Sequence, residues 1–209
     1  MASHFDQRSD GFHSGSGNRR GRNRVPFDVN TAANPIVFTI GHSTRTFEEV
    51  VALLQAVDVT LLLDVRTIPR SRLHPQFNAD SLAAALRAHD IGYKQLPALG
   101  GRRHHPKGAP PSLNTFWQVS AFRNYADYAE TPAFRAGLEE LVDHAREQRC
   151  VIMCAEAVWW RCHRRIIADY LLTRGVVVEH IIGPRKVTTA VLTPAAHVLS
   201  NGVLRYTPA

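Results

Sequence analysis

The sequence contains little cysteine and no long apolar run, and each absence excludes a class of protein. Three cysteines occur among 209 residues, too few for the disulfide framework of a small secreted domain. No stretch approaches the ~18 apolar residues of a membrane span. The first ten residues, MASHFDQRSD, lack the apolar segment of a secretory signal. We therefore expect a cytoplasmic protein with reduced thiols and no membrane partner.

Two common phosphate-binding loops are also missing. Neither the GxxxxGK[ST] pattern nor the GxGxxG pattern occurs, so no cofactor is indicated. The net charge of +7 favours anionic partners, which include nucleic acid, nucleotides and phosphorylated small molecules. The sequence does not indicate an oligomeric state.

The composition changes near residue 35. Residues 1–34 are rich in Gly, Ser, Asn and Arg, and such a stretch buries too little apolar surface to offset the entropy lost on ordering. We predict a disordered tail over residues 1–34 and a single domain over residues 35–209.

Within that domain, buried strands alternate with amphipathic helices. Short apolar runs predict strands at 36–40, 60–65, 93–99, 150–155 and 176–182. Spacing and capping residues predict helices near 47–57, 78–92, 122–128, 132–145 and 162–175. Asn201-Gly202 predicts a C-terminal hairpin. This order is typical of a three-layer α/β domain, with a mainly parallel sheet and helices on both faces.

Reactive and charged residues follow the carboxyl ends of the predicted strands, where open α/β sheets bind ligands. The first two strands are followed by His42, Ser43, Asp64 and Arg66. The third strand leads to Arg102, and the fourth to Cys154 and Glu156. Cys162, His163 and Arg164 open the next helix. The sequence therefore predicts a site at this one edge of the sheet.

The residue types suggest cysteine chemistry. We expect Cys154 to be the nucleophile, because nearby arginines and a helix N-terminus lower the pKa of a thiol. Cys162 would be a second thiol. His42 or His163 would transfer protons, and Glu156 or Asp64 would act as a base or orient one of them.

Arginine side chains near these strand ends suggest an anionic substrate. Guanidinium groups bind phosphate and carboxylate through paired hydrogen bonds. The predicted anion-binding residues are Arg66, Arg102, Arg164 and Ser43.

Two alternatives remain open. Cys154, Cys162 and His163 could bind a metal ion, although their spacing matches no standard zinc motif. The positive charge, the Arg/Gly-rich tail and the pair Trp159-Trp160 could instead belong to a nucleic-acid-binding protein without catalysis.

Four segments resemble a known family. TIGHSTRTFEEV, LLLDVRTIPRS, LGGR, and CAE followed by CHRRIIADYL are similar to the prokaryotic domain of unknown function 488 over about residues 36–182. The resemblance implies a shared α/β fold and no established reaction. It also implies a shared pocket of His42, Ser43, Asp64, Arg66, Cys154, Glu156, Cys162, His163 and Arg164. We predict a cysteine-dependent hydrolase or transferase acting on an anionic substrate.

Overall fold

The computed structural model describes Met1 and residues 34–208. Its main feature is a six-stranded sheet in the order β3-β2-β4-β1-β5-β6. The first five strands are parallel and β6 is antiparallel to β5. The strands are β1 (Ile36–Gly41), β2 (Leu61–Asp64), β3 (Gly92–Gln95), β4 (Cys150–Cys154), β5 (Val177–Gly183) and β6 (Lys186–Thr189).

Helices cover both faces of this sheet. The α-helices are α1 (Phe47–Gln55), α2 (Ala79–Arg87), α3 (Ser120–Ala129), α4 (Pro132–Glu147) and α5 (Arg164–Leu172). Alternate side chains of a strand point to opposite faces, so Leu62 packs with α1 and α2. Leu61 and Leu63 pack with α3, α4 and α5. The predicted α/β fold is confirmed.

Three details differ from the sequence prediction. β3 ends at Gln95, because Pro97 begins a short 3-10 helix at Pro97–Leu99. Another 3-10 helix, at Trp159–Arg161, precedes α5. β6 was not predicted, because its four residues are all exposed and show no apolar alternation. The predicted tail lies outside the described residues, except for Met1 and Asn34.

The predicted C-terminal hairpin is present as β7 (Ala196–Val198) and β8 (Leu204–Tyr206). The hairpin, together with Thr193 just before it, forms hydrogen bonds with two side chains of α5. The Asp169 carboxylate accepts hydrogen bonds from the Tyr206 hydroxyl at 3.0 Å and the Thr193 N–H at 2.9 Å. The Tyr170 hydroxyl accepts one from the Leu204 N–H at 3.1 Å. No helix among the described residues is long and apolar enough to cross a membrane.

Candidate functional site

Three side chains converge at the carboxyl edge of the sheet. Cys154 is the last residue of β4. Cys162 and His163 lie between the 3-10 helix at Trp159–Arg161 and α5. The two sulfur atoms and a ring nitrogen of His163 all lie within 4.8 Å of one another. We call Cys154, Cys162 and His163 the thiol cluster.

A backbone hydrogen bond fixes the orientation of the His163 ring. Its Nε2 lies 3.0 Å from the Val65 carbonyl oxygen, and because a carbonyl only accepts, Nε2 must carry a proton. The other nitrogen, Nδ1, therefore faces the sulfurs, 3.5 Å from Cys162 Sγ and 3.9 Å from Cys154 Sγ.

Gly101 packs directly against this ring. A Cβ atom at position 101 would lie 2.4 Å from His163 Nδ1, so only glycine fits there without moving the imidazole. Tyr125 contacts the ring as well, with ring centroids 5.0 Å apart.

Arg164 places a buried positive charge beside the sulfurs. Its side chain is 1% exposed, and its Nε donates to Cys162 Sγ at 3.3 Å. The rest of the guanidinium donates to the Glu156 carbonyl oxygen and to Thr39 Oγ1. Arg164 forms no ion pair with a carboxylate in the described part of the chain. Arg164 was predicted to bind a substrate anion. In the structure it is buried and forms a hydrogen bond with Cys162 instead.

The two thiols differ in pKa. The sequence predicted a lowered pKa for Cys154, whereas the structure raises it. A hydrogen bond to Cys162, together with burial, raises the pKa of Cys154 well above its usual range. Burial also raises the pKa of Cys162, but hydrogen bonding from Cys154 and the neighbouring His163 and Arg164 lower that pKa well below its usual range. These directions favour a proton on Cys154 and the thiolate form of Cys162.

The thiol cluster lines a pocket of about 340 Å³. Arg102 and Arg161 are exposed residues on its wall, and neither forms an ion pair within residues 34–208. Exposed Ile68 and half-buried Phe122 supply apolar surface. The exposed Glu156 adds one acidic group to the same wall. The pocket thus combines thiols, cations and an apolar surface.

Asp64 and Arg66 form a buried pair beside this pocket. Arg66 Nε donates to Asp64 Oδ1 at 2.9 Å, and Arg66 Nη2 donates to the Phe77 carbonyl oxygen at 2.7 Å. The Tyr93 hydroxyl donates to Asp64 Oδ2 at 2.9 Å. Arg66 reaches the pocket wall, whereas Asp64 is fully buried and does not line the pocket.

His42 and Ser43 lie outside the thiol cluster. They line a second cavity of about 400 Å³, which shares Glu156 and Arg161 with the first. His42 Nδ1 donates to the Ser43 carbonyl oxygen at 3.0 Å, and its ring stacks on Phe77. Burial and the charge of Arg66 lower the pKa of His42 to about 4, so the imidazole is neutral near pH 7.

Sequence reasoning missed two glycines and one arginine. Gly101 and Gly41 permit close contacts: a Cβ atom at Gly41 would lie 1.7 Å from the Glu156 carbonyl oxygen. The sequence did hint at both close contacts. Gly41 ends an apolar run, and Gly101 belongs to the pair Gly100-Gly101 that follows the third predicted strand. Arg161 was not among the predicted anion-binding residues, but it lines both cavities. Its position next to Cys162 was the available signal.

Comparisons with known proteins point to one family. No curated protein and no solved structure is significantly similar to the chain. The family profile for Domain of unknown function DUF488 matches residues 46–171, more than half of the chain. This match contains the whole thiol cluster, together with Gly101 and Arg164, whereas His42 precedes it. The conclusion is that the chain belongs to the DUF488 family.

Proposed function

We propose that the chain is an enzyme that uses a thiolate of the thiol cluster on an anionic substrate. One observation carries this proposal: two cysteines and an oriented histidine share a pocket with two arginines, Arg102 and Arg161, that have no carboxylate partner within residues 34–208. Thiolates are nucleophiles, and unpaired guanidinium groups attract carboxylates and phosphates.

The surroundings of Cys162 suit a nucleophile. The Arg164 Nε–H donates to its sulfur at 3.3 Å, and His163 Nδ1 lies 3.5 Å from the same atom. In the proposed reaction, Cys162 Sγ bonds to an electrophilic acyl or phosphoryl centre. The bond to the leaving group then breaks, and Cys154 gives its proton to that group. Water hydrolyses the covalent intermediate, which frees Cys162 and returns a proton to Cys154.

Arg102 and Arg161 would hold the anionic part of the substrate. Both are exposed side chains at the pocket, so they can approach a ligand without losing an internal partner. Arg66 contributes less in this proposal, because Asp64 and the Phe77 carbonyl already occupy most of its donors. Ile68 and Phe122 would contact an apolar portion of the substrate.

A pair of small alkylating reagents tests the proposal without knowledge of the substrate. Iodoacetate is an anion and iodoacetamide is its neutral analogue, so the ratio of their rates, relative to a free thiol, reports anion attraction at the cysteine. We expect iodoacetate to be favoured several-fold in metal-free protein. Arg102→Gln and Arg161→Gln should each lower the ratio, with little change in the iodoacetamide rate.

Matched controls use residues remote from the pocket. Arg146→Gln removes an exposed arginine of α4 that pairs with Asp143 and should leave the ratio unchanged. Cys162→Ser should abolish the fast modification, and Cys150→Ser should preserve it. A ratio equal to that of a free thiol, or fast modification that survives Cys162→Ser, would overturn the proposal.

Non-catalytic nucleic-acid binding is a second candidate, favoured by Trp160. This indole is 49% exposed and adjacent to Arg161, an arrangement that suits base stacking beside phosphate contact. Binding of a single-stranded oligonucleotide should weaken with salt and with Trp160→Ala, yet survive Cys162→Ser. Salt-independent binding, or binding unaffected by Trp160→Ala, would exclude this candidate.

A further inference from the structure

We infer that Cys154, Cys162 and His163 form a three-ligand binding site for a zinc ion. This inference concerns the same three residues as the proposed function, does not depend on it, and describes a metal-bound state in which Cys162 is not a free nucleophile. Each residue offers one soft or borderline ligand atom, and the three atoms lie within 4.8 Å of one another. Thiolate and imidazole ligands favour zinc over magnesium or calcium, which prefer oxygen.

The two sulfur-to-nitrogen distances in the cluster match those of a tetrahedral site. With Zn–S near 2.3 Å, Zn–N near 2.05 Å and a tetrahedral angle between them, sulfur and nitrogen ligands lie about 3.6 Å apart. In the structure, His163 Nδ1 lies 3.5 Å from Cys162 Sγ and 3.9 Å from Cys154 Sγ. Nδ1 therefore lies at close to the required distance from each sulfur, and the two sulfur atoms lie within 4.8 Å of each other.

The three ligand side chains have neighbours that would orient them for metal binding. A metal-binding histidine usually donates its second ring N–H to a carbonyl or carboxylate, and His163 Nε2 donates to the Val65 carbonyl at 3.0 Å. Arg164 Nε donates to Cys162 Sγ at 3.3 Å, which stabilises a thiolate ligand. Gly101 leaves room for the imidazole to keep this orientation.

The fourth coordination position would face the pocket. No fourth histidine, cysteine or carboxylate joins this group among the residues that the structure describes, and all three ligands line the 340 Å³ cavity. Three protein ligands with an open position are typical of catalytic rather than structural zinc sites. A bound zinc would engage both thiolates, and so would block their alkylation while leaving one position for water or an anion.

Cobalt(II) provides a direct spectroscopic test, because it adopts zinc geometry and absorbs light. Titration of the chelator-treated chain with Co²⁺ should reach one ion per chain. The visible bands of a tetrahedral ion and the sulfur-to-cobalt charge-transfer band should both appear, and Zn²⁺ should then bleach them. Cys154→Ser, Cys162→Ser and His163→Gln should each weaken Co²⁺ binding by more than the ~10–100-fold typical of losing an outer-shell partner.

Cys150→Ser is the matched control, because Cys150 is a buried cysteine at the opposite end of β4. It should retain the one-to-one site and both sets of bands. Thermal melts of the metal-free variants would separate loss of ligands from loss of folding. Absence of stoichiometric Co²⁺ and Zn²⁺ binding, or a site that survives all three ligand substitutions in folded protein, would overturn the inference.

The two proposals fail separately. Alkylation is measured on metal-free protein and reports the anion-attracting thiolate, whereas cobalt spectra report the ligand set. Stoichiometric metal binding without a preference for iodoacetate would refute the thiolate enzyme and leave the zinc site standing. A clear preference for iodoacetate without metal binding would refute the zinc site and leave the thiolate enzyme standing.

Discussion

His163 Nε2 lies 3.0 Å from the Val65 carbonyl oxygen, so the residue after β2 controls the chemistry of a residue at the start of α5. The carbonyl accepts a hydrogen bond and cannot donate one, which leaves Nδ1 as the nitrogen that faces Cys154 and Cys162. The orientation of the imidazole is thus a property of the sheet edge rather than of the local sequence.

This relationship predicts the protonation of His163 in the metal-free chain. In the neutral ring, Nε2 should carry the proton and Nδ1 should carry none. Long-range proton–nitrogen NMR of the ring distinguishes the two tautomers. A neutral ring protonated on Nδ1 would contradict the hydrogen bond to Val65.

Gly101→Ala should damage the thiol cluster more than the fold. The added methyl would lie 2.4 Å from His163 Nδ1, so the ring must move away from the sulfurs. We expect metal affinity to fall by about 10–100-fold, as for loss of a supporting partner. Gly183→Ala is the control, because a Cβ there meets nothing within 4 Å. Equal affinities of the two variants would count against the close packing of Gly101.

Asp64→Asn should destabilise the fold strongly. Asp64 is fully buried and its carboxylate is the anionic partner of Arg66, so the substitution leaves a guanidinium that is 7% exposed without that partner. Breaking a buried pair in this way costs about 3–5 kcal/mol of unfolding free energy. Asp143→Asn, in an exposed pair with Arg146, should cost at most about 1 kcal/mol. Denaturant unfolding would measure both, and similar losses would be inconsistent with a structural role for Asp64.

Stability should decline in mild acid because of two buried histidines. Burial and nearby arginines lower the pKa of His42 and of His180 to about 4, whereas an imidazole in the unfolded chain has a pKa near 6.5. Between these values the unfolded chain binds protons that the native chain does not, so the unfolding free energy falls as pH falls from about 6.5 to 4.

Each histidine contributes a slope of up to about 1.36 kcal/mol per pH unit in that window. His180→Gln should reduce the slope of unfolding free energy against pH, measured by urea unfolding between pH 7 and 4.5. Substitution of the exposed His197 should not change it. An unchanged slope in His180→Gln would show that this histidine titrates normally.

The sequence was sufficient to predict the fold and the edge of the sheet that carries the thiol cluster. Apolar runs identify buried strands such as Cys150–Cys154, and in a parallel sheet their carboxyl ends must lie at one edge. The roles of individual residues were harder to predict, because they depend on long-range contacts. The hydrogen bond from Tyr93 to Asp64 spans 29 positions of the chain, and the bond from His163 to Val65 spans 98.

Dependence on long-range contacts also explains why the pKa of Cys154 is raised where the sequence predicted a lowered value. Sequence context placed arginines near Cys154, but the guanidinium of the buried Arg164 donates to Cys162. Which of two neighbouring thiols receives a hydrogen bond depends on a few ångströms of side-chain placement. No pattern of residue types encodes that distance.

The hairpin of β7 and β8 has a consequence for how relatives of this chain should be compared. The family profile ends at residue 171, yet Tyr206 and Thr193 supply the hydrogen bonds that satisfy Asp169 inside α5. A chain cut at the limit of the profile would lose these partners and leave a buried carboxylate unsatisfied at the helix that begins beside His163. We therefore expect the stable folding unit to extend beyond the segment that the profile matches, and C-terminal segments of relatives should be compared by whether they supply equivalent hydrogen bonds to α5.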